Sequence, residues 1–377
     1  MKREHLNKLL ELLIQNKGSD LHISAGKKIR MRIHGKLVTV EGPIYERAQL
    51  VELLKEILRS RWEEMVKKKN IDFSYKLNEE YSFRGNAFFQ KDGPSIVLRI
   101  IPNKIPTIEE LGLPKAIKYI ADNIERGMVL VTGVTGSGKS TTLAAIINEI
   151  NETKSKHILT LEDPIEFIHK SKKSLINQRN IGEDAIDFKE ALRAALREDP
   201  DIILVGEMRD RETIEIALHA AETGHLVLST LHTLDAKETL NRIIGTFPPE
   251  EQYRIRMVLA NTLEAVIGQR LIPTTDGKRV AAMEIFIKTP RIKQLIEENR
   301  DSEIKQVLDE GHKVYGTQSF DLHLINLVLD GKVEEEVASK FASNSSDFLL
   351  QLKKEKARRT NSETNTNIKD ILKIEEN

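Results

Sequence analysis

Apolar and polar residues follow two different patterns along this 377-residue chain, and the change from one to the other divides it. In the first part, an amphipathic helix with leucines at helical spacing stops near Gly18, and short alternating strands surround one further helix. The predicted strands are 21–24, 29–34, 36–40, 81–90 and 95–101, and the predicted helix is 47–59. This arrangement predicts a small α+β domain over residues 1–101.

Residues 102–110 carry two prolines and no periodicity, which predicts a linker between domains. Beyond it, continuous apolar runs alternate with helical patterns, as is typical of a parallel sheet covered on both faces. The apolar runs are 128–132, 157–161, 201–205 and 226–230. The sequence therefore predicts an α/β domain over 111–352 that is helical after Pro290, followed by a polar, disordered tail over 353–377.

Composition excludes several classes of function. The 58 basic residues balance 58 acidic ones, so the chain lacks the strong positive field that drives sequence-independent nucleic-acid binding. The absence of cysteine excludes disulfides, a thiol nucleophile and a cysteine zinc site. Because no apolar run approaches the roughly 20 residues that cross a bilayer, we expect no transmembrane segment, and any membrane association to come through a partner.

The strongest chemical signal is a phosphate-binding loop, GxxxxGK[ST], between an apolar strand and a helical stretch. In such a loop, backbone N–H groups and the helix N-terminus surround the phosphates of ATP. Lys139 would reach the β- and γ-phosphates, and the Ser140 hydroxyl would bind Mg²⁺. The predicted nucleotide-binding residues are Gly133, Thr135, Gly136, Ser137, Gly138, Lys139, Ser140 and Thr141.

Three further strands end in groups that could act on this nucleotide. Glu166 lies in the acidic stretch after 157–161, Glu207 follows 201–205, and His232 follows 226–230. Ligands of open parallel sheets bind beyond the carboxyl ends of the strands, so these groups can converge there. Each alone could be a helix-capping carboxylate or a hydrogen-bonded histidine. Together with the phosphate loop, they indicate nucleotide hydrolysis.

Four stretches, VTGVTGSGKSTT, LEDPIEF, LREDPDIILVGEMRD and GHLVLSTLHTLDA, resemble the Walker A, Asp, Walker B and His boxes of the type II/IV secretion ATPases. Within that superfamily the chain is most similar to the type IV pilus retraction (twitching-motility) ATPases, the PilT/PilU family, from about Ser19 to Leu352. Extension and secretion ATPases are generally longer and usually carry a four-cysteine zinc element. The short chain and the lack of cysteine therefore favour the retraction branch.

The resemblance implies a fold, a set of partners and a location. The fold would be α/β, with a smaller PAS-like α+β N-terminal domain, a RecA-like P-loop ATPase domain and a helical C-terminal extension. Six copies would form a homohexamer that uses ATP and Mg²⁺. The motor would lie in the cytoplasm, at the inner face of the cytoplasmic membrane at the pilus base, and act on an inner-membrane platform protein without contacting nucleic acid.

The resemblance also implies a role for each site residue. Glu207 would be the Walker B glutamate that activates water, and Glu166 would join Ser140 near the metal. His232 would sense the γ-phosphate.

Two pairs of arginines match family positions as well. Arg84 and Arg99 match the paired arginines that the N-terminal domain presents to the nucleotide. Both lie in strands of apolar character, where a buried guanidinium needs an anion, although a carboxylate of the same domain could supply it. For Arg193 and Arg197, the structural and functional interpretations are equally open.

Several alternatives remain open from the sequence. In the C-terminal stretch 291–298, Gln294 and Glu297 replace an Asn and an Arg of the retraction motif, so an accessory PilU-like motor is an alternative to the principal one. A pilus-extension or secretion ATPase, a RecA-type nucleic-acid translocase and a non-catalytic ring subunit are further alternatives. No basic or aromatic stripe supports the translocase, and the intact site residues oppose the non-catalytic subunit.

Overall fold

The computed structural model describes residues 1–78, 80–101 and 104–374, with side chains up to Arg359. The chain forms two compact units: unit 1 contains Met1–Ile105 and Pro164–Ile168, and unit 2 contains Pro106–Asp163 and His169–Asn377. The division after Ile105 lies inside the range predicted as the linker, of which Pro102 and Asn103 are outside the described residues.

The described residues of unit 1 form six strands and three helices. The strands are β1 (Gly18–Ser24), β2 (Arg30–Ile33), β3 (Lys36–Thr39), β4 (Asn70–Lys76), β5 (Ser82–Gln90) and β6 (Gly93–Ile101). The helices are α1 (Arg3–Gln15), α2 (Arg47–Leu58) and α3 (Trp62–Lys68), with a 3-10 turn at Arg59–Arg61. The strands pair antiparallel in the order β3-β2-β1-β6-β5-β4.

The core of unit 1 lies between this sheet and its helices. The leucines of α1 that recur at helical spacing are buried, as the amphipathic pattern predicts. On β4, buried and exposed residues alternate strictly, which is the signature of a strand with one solvent-facing side. Trp62 of α3 packs edge-on against Phe89, with 6.3 Å between ring centroids. The sequence analysis missed both α3 and β4.

Unit 2 is built on seven strands. These are β7 (Gly127–Thr132), β8 (His157–Glu162), β9 (Leu175–Asn180), β10 (Ile202–Val205), β11 (Leu226–Leu231), β12 (Leu263–Pro273) and β13 (Arg279–Ile287). Their order is β13-β12-β7-β11-β10-β8-β9, and all neighbours are parallel except the antiparallel pair of β12 and β13. The prediction placed β7, β8, β10 and β11, but missed β9, β12 and β13.

Both faces of this sheet are covered. Every residue of β7, β10 and β11 is buried, as the continuous apolar runs predict. Along β7, Met128 and Leu130 pack into one apolar cluster, and Val129 and Val131 pack into another. Successive side chains of a strand point to opposite faces, so the sheet separates two cores.

Helices of unit 2 surround the sheet. They are α4 (Lys115–Asn123), α5 (Lys139–Thr153), α6 (Phe188–Ala195), α7 (Arg211–Glu222), α8 (Ala236–Ile244), α9 (Pro249–Thr262), α10 (Pro290–Glu297), α11 (Ile304–Glu310), α12 (His312–Tyr315), α13 (Phe320–Leu329), α14 (Glu335–Phe341) and α15 (Ser345–Ile374). Asp187, Asp210 and Asp235 accept a backbone N–H at the starts of α6, α7 and α8. In the described part of the chain, no helix is long and apolar enough to cross a bilayer.

The C-terminal segment differs from the disordered tail predicted from Lys353, because α15 continues to Ile374. Leu352 is buried, Lys356 pairs with Glu335 of α14 at 2.7 Å, and Arg359 pairs with Asp330 at 3.2 Å. Lys, Glu, Ala and Arg are also strong helix formers. These contacts hold the first part of the predicted tail, up to Arg359, against α14 and the end of α13. Residues 375–377 lie outside the described residues.

Candidate nucleotide-hydrolysis site

The phosphate loop joins β7 to α5, as its motif requires. β7 ends at Thr132, and α5 begins at Lys139 after Gly138, whose φ is +91°. That left-handed conformation strains any residue with a Cβ, so glycine lets the backbone turn directly into the helix. The first N–H groups and the dipole at the start of α5 then favour a phosphate at this position.

Polar atoms inside the loop suit the oxygens of a nucleotide. The buried Lys139 ammonium donates hydrogen bonds to the carbonyls of Gly133, at 2.8 Å, and Val134, at 3.2 Å. The hydroxyls of Thr132 and Ser137 are buried without a hydrogen-bond partner in the described part of the chain. Buried hydroxyls normally have a partner, and phosphate oxygens are suitable acceptors. The residues present therefore fit a nucleotide.

The strand order brings the predicted catalytic groups to one edge of the sheet. β7, β11, β10 and β8 are neighbours in that order, so their carboxyl ends lie side by side. His232 directly follows β11, and its Nε2 lies 3.2 Å from Oε1 of Glu207, which follows β10. The hydroxyls of Ser229 and Thr230 donate to the carbonyls of Val205 and Gly206, and so fix the backbone before Glu207.

Glu207 is held as a carboxylate. A hydrogen bond from Arg209, whose Nη2 lies 2.7 Å from Oε2, lowers the pKa of Glu207 and outweighs the opposing effect of burial. The charges of Arg209, His232 and Lys139 lower this pKa further. An ionised carboxylate accepts hydrogen bonds, so Glu207 can orient a water and take its proton.

The remaining three predicted catalytic residues, Glu166, Arg84 and Arg99, belong to unit 1. Glu166 is exposed in the segment 164–168. Arg84 and Arg99 lie opposite each other on β5 and β6, and both are exposed, so the expectation of buried guanidiniums is wrong. Strand alternation is the reason, because Phe83 and Leu98 face the core while the arginines point to the other side.

Arg99 does have a carboxylate partner within its own unit. Its Nε donates to Oδ1 of Asp20 at 2.6 Å. Burial acts to raise the pKa of Asp20, but hydrogen bonds from Ser19 and Arg99 outweigh it and lower the pKa. Arg99 therefore forms the ion pair with a carboxylate of its own domain that is the alternative to a nucleotide contact. On α6, Arg193 pairs with Glu190 at 3.7 Å.

A family model described as type II/IV secretion system protein matches residues 1–369. The chain belongs to this family. It is 46% identical over 347 residues to the type IV pilus retraction ATPase PilT of Pseudomonas aeruginosa, covering 91% of this chain and 99% of PilT.

A second relative and a solved structure are also similar over most of their length. The chain is 38% identical over 351 residues to the type IV pilus ATPase PilU of Pseudomonas aeruginosa, covering 92% of this chain and 91% of PilU. The crystal structure of the pilus retraction motor PilT with bound ADP matches with a TM-score of 0.82 and 40% identity, covering 90% of this chain and 98% of that one.

These similarities confirm three predictions. The chain is a member of the type II/IV secretion ATPases, its fold is α/β with a RecA-like ATPase domain and C-terminal helices, and it is a nucleotide-binding ATPase. The roles of individual site residues stay predictions.

The sequence analysis did not identify two residues of the nucleotide-hydrolysis site. Arg209 lies two positions after Glu207 and is paired with it. Gln269 is buried in β12, and its amide donates to the phosphate loop at Ser137 and accepts from Thr142 in α5. A lone amide within an apolar strand was the available signal for Gln269, because a buried polar group needs partners.

Proposed function

We propose that this chain is an ATP-hydrolysing motor that powers type IV pilus retraction. The observation that carries the proposal is the cluster of Lys139, Glu207 and His232 beside the phosphate loop, in a chain 46% identical to a pilus retraction ATPase over 99% of that relative. Identity to PilT exceeds the 38% identity to PilU over similar spans, which favours a principal rather than an accessory motor.

The proposed chemistry is in-line attack of water on the γ-phosphate, which requires orientation and neutralisation of charge. The Glu207 carboxylate orients the water, and Lys139 and the start of α5 stabilise the negative charge on the phosphates. His232 contacts the γ-phosphate and Glu207. The Ser140 hydroxyl, together with Glu166, would hold Mg²⁺, which neutralises the β- and γ-phosphate oxygens when bound.

Arg84 and Arg99 are proposed to contact the nucleotide as well. Two like charges directly opposite on neighbouring strands repel each other, and both guanidiniums are exposed. The Asp20 carboxylate neutralises the charge of Arg99. A triphosphate could neutralise both charges, because each planar guanidinium can donate two hydrogen bonds to phosphate oxygens.

Assembly and location are proposed from the similarity to the retraction ATPases. The motor would be a homohexamer in the cytoplasm, at the inner face of the cytoplasmic membrane. It would act on an inner-membrane platform protein at the pilus base and would make no direct contact with nucleic acid.

An accessory, PilU-like role is the second candidate, and one observation favours it. Gln294 is exposed on α10 and Glu297 is half-buried there, while the apolar residues of the same helix are buried. Both differ from the retraction motif without affecting the packing, which indicates a difference in what the surface of α10 contacts.

The test is to delete the gene in its own organism and to count surface pili by electron microscopy, beside a strain with Glu207→Gln. We expect more pili than wild type in both strains, because retraction needs hydrolysis. Glu222→Gln, at an exposed glutamate ending α7, is the control and should leave the count unchanged. Fewer pili would indicate a pilus-extension motor. An unchanged count would indicate an accessory motor or a machine other than the pilus.

A further inference from the structure

Gln269 connects the phosphate loop to the first turn of the following helix. Its side chain is 2% exposed, and its Nε2 donates to the carbonyl of Ser137 at 2.7 Å. Its Oε1 accepts from the Thr142 hydroxyl, also at 2.7 Å. Both ends of the amide are thus used, one on the loop and one on α5.

The same residue also packs tightly against the loop. A Cβ at Gly133 would lie 2.4 Å from the Gln269 carbonyl oxygen, and one at Gly138 would lie 2.7 Å from Nε2. Real Cβ atoms do not approach other atoms so closely, so the loop meets β12 at its first and last glycine. β12 pairs with β7 up to Gly268 and Thr132, which carries Gln269 to the start of the loop.

We propose that Gln269 is a positioning residue that holds the phosphate loop in the shape that receives the phosphates of ATP. It acts through Ser137 and Thr142, because its own polar atoms are taken up by those two residues. The inference rests on the use of ATP under the proposed function, but it is independent of pilus retraction.

The next residue along the strand provides a matched control. Arg270 points to the other side of β12, where its guanidinium lies 4.2 Å from the centre of the Phe320 ring. It also donates to the carbonyl of Phe341 at 2.8 Å. Arg270→Met therefore removes side-chain contacts from the same strand without touching the loop.

The experiment measures the KM for ATP, kcat and the Kd for MgADP in the purified full-length chain. In Gln269→Met, which removes both bonds and keeps the side-chain length, we expect the KM and the Kd to rise about tenfold or more. We expect kcat to change less than about threefold, because the loop binds the phosphates in the ground and transition states alike. Arg270→Met should leave the KM and the Kd within about twofold of wild type.

Thr142 supplies a second test that does not depend on the folding of Gln269→Met. Thr142→Val removes only the bond to Oε1 and should raise the KM by about threefold or more, whereas Thr142→Ser keeps the hydroxyl and should restore it.

Wild-type KM and Kd in Gln269→Met or Thr142→Val would overturn the proposal. An equal rise of the KM and the Kd in Arg270→Met would also overturn it, because any change in β12 would then weaken nucleotide binding. Failure of the wild-type chain to bind MgADP would contradict the proposed function instead.

Discussion

Glu207 keeps its negative charge because Arg209 donates a hydrogen bond to it, so the acid side of the pH profile depends on that arginine. Under the proposed mechanism, hydrolysis needs the ionised carboxylate and is lost as the pH falls through its pKa. Arg209→Ala removes the cause that lowers this pKa. We therefore expect the acid limb of kcat/KM to move to higher pH, measured by steady-state assays from about pH 4, near the usual pKa of glutamate, to about pH 8.

The neighbouring arginine is the control for this prediction. Arg211 also forms an ion pair, but with Glu251 on α9, at 2.5 Å. Arg211→Ala should therefore leave the acid limb in place. An Arg209→Ala profile that coincides with wild type would show that another group sets the acid limb.

The proposed role of Arg84 and Arg99 is tested by comparison with a third arginine on the same sheet. Arg99→Ala should lower ATP turnover at least about tenfold if its charge neutralises phosphate in the transition state. Arg32 also pairs with Asp20, at 3.6 Å, and its replacement by Ala should have little effect on turnover. Normal turnover in Arg99→Ala would restrict Arg99 to its ion pair with Asp20.

At the scale of elements, β13 carries a carboxyl group that titrates near neutral pH. Glu284 is buried and accepts the N–H of Ala236 at the start of α8, at 2.8 Å. Burial raises the pKa of Glu284 to about 7 and outweighs the opposing effects of the Ala236 N–H and Lys305, while the charges of Asp235 and Asp309 raise it further. The group therefore releases its proton more easily in the unfolded chain than in the folded one.

This difference makes stability depend on pH in a defined direction. Between the unfolded pKa and about 7, the folded state binds more protons, so the free energy of unfolding falls as the pH rises. Between pH 5.5 and 8, we expect the free energy of unfolding of the wild type to fall by about 2 kcal/mol relative to that of Glu284→Gln. Urea denaturation at both pH values measures this difference. Gln keeps the acceptor for Ala236 without the charge. Parallel pH dependence in both proteins would contradict this assignment.

The elements differ in how far the sequence could predict them. The strands that lead to the phosphate loop, Glu207 and His232 are continuous apolar runs, and all were placed correctly. β12 was missed because Gln269 and Arg270 interrupt its apolar run, and their hydrogen-bond partners lie 71 to 132 residues away. The burial of Arg84 was mispredicted because composition does not show which face of a strand a residue occupies.

At the scale of the whole molecule, each unit has its own hydrophobic core. One cluster of buried residues runs from Leu6 to Leu98 and belongs wholly to unit 1, while the clusters around the seven-stranded sheet belong to unit 2. We therefore expect two transitions in differential scanning calorimetry. MgADP at about 100 times its Kd should increase the free energy of unfolding of unit 2 by about 2.7 kcal/mol, because it binds the folded state preferentially. The transition of unit 2 should therefore move to higher temperature.

The control is Lys139→Ala, which removes the ammonium from the phosphate loop and should abolish the shift caused by MgADP. A single transition that moves as a whole with MgADP would show that the two units unfold together.

The contact between Trp62 and Phe89 gives the molecule a built-in optical reporter. Trp62 is the only tryptophan of the chain, and both rings belong to unit 1. Excitation at the red edge of the near-ultraviolet band, where tyrosine absorbs little, therefore records the melting of unit 1 alone. Emission and heat capacity measured on one sample would assign each transition to its unit without any label.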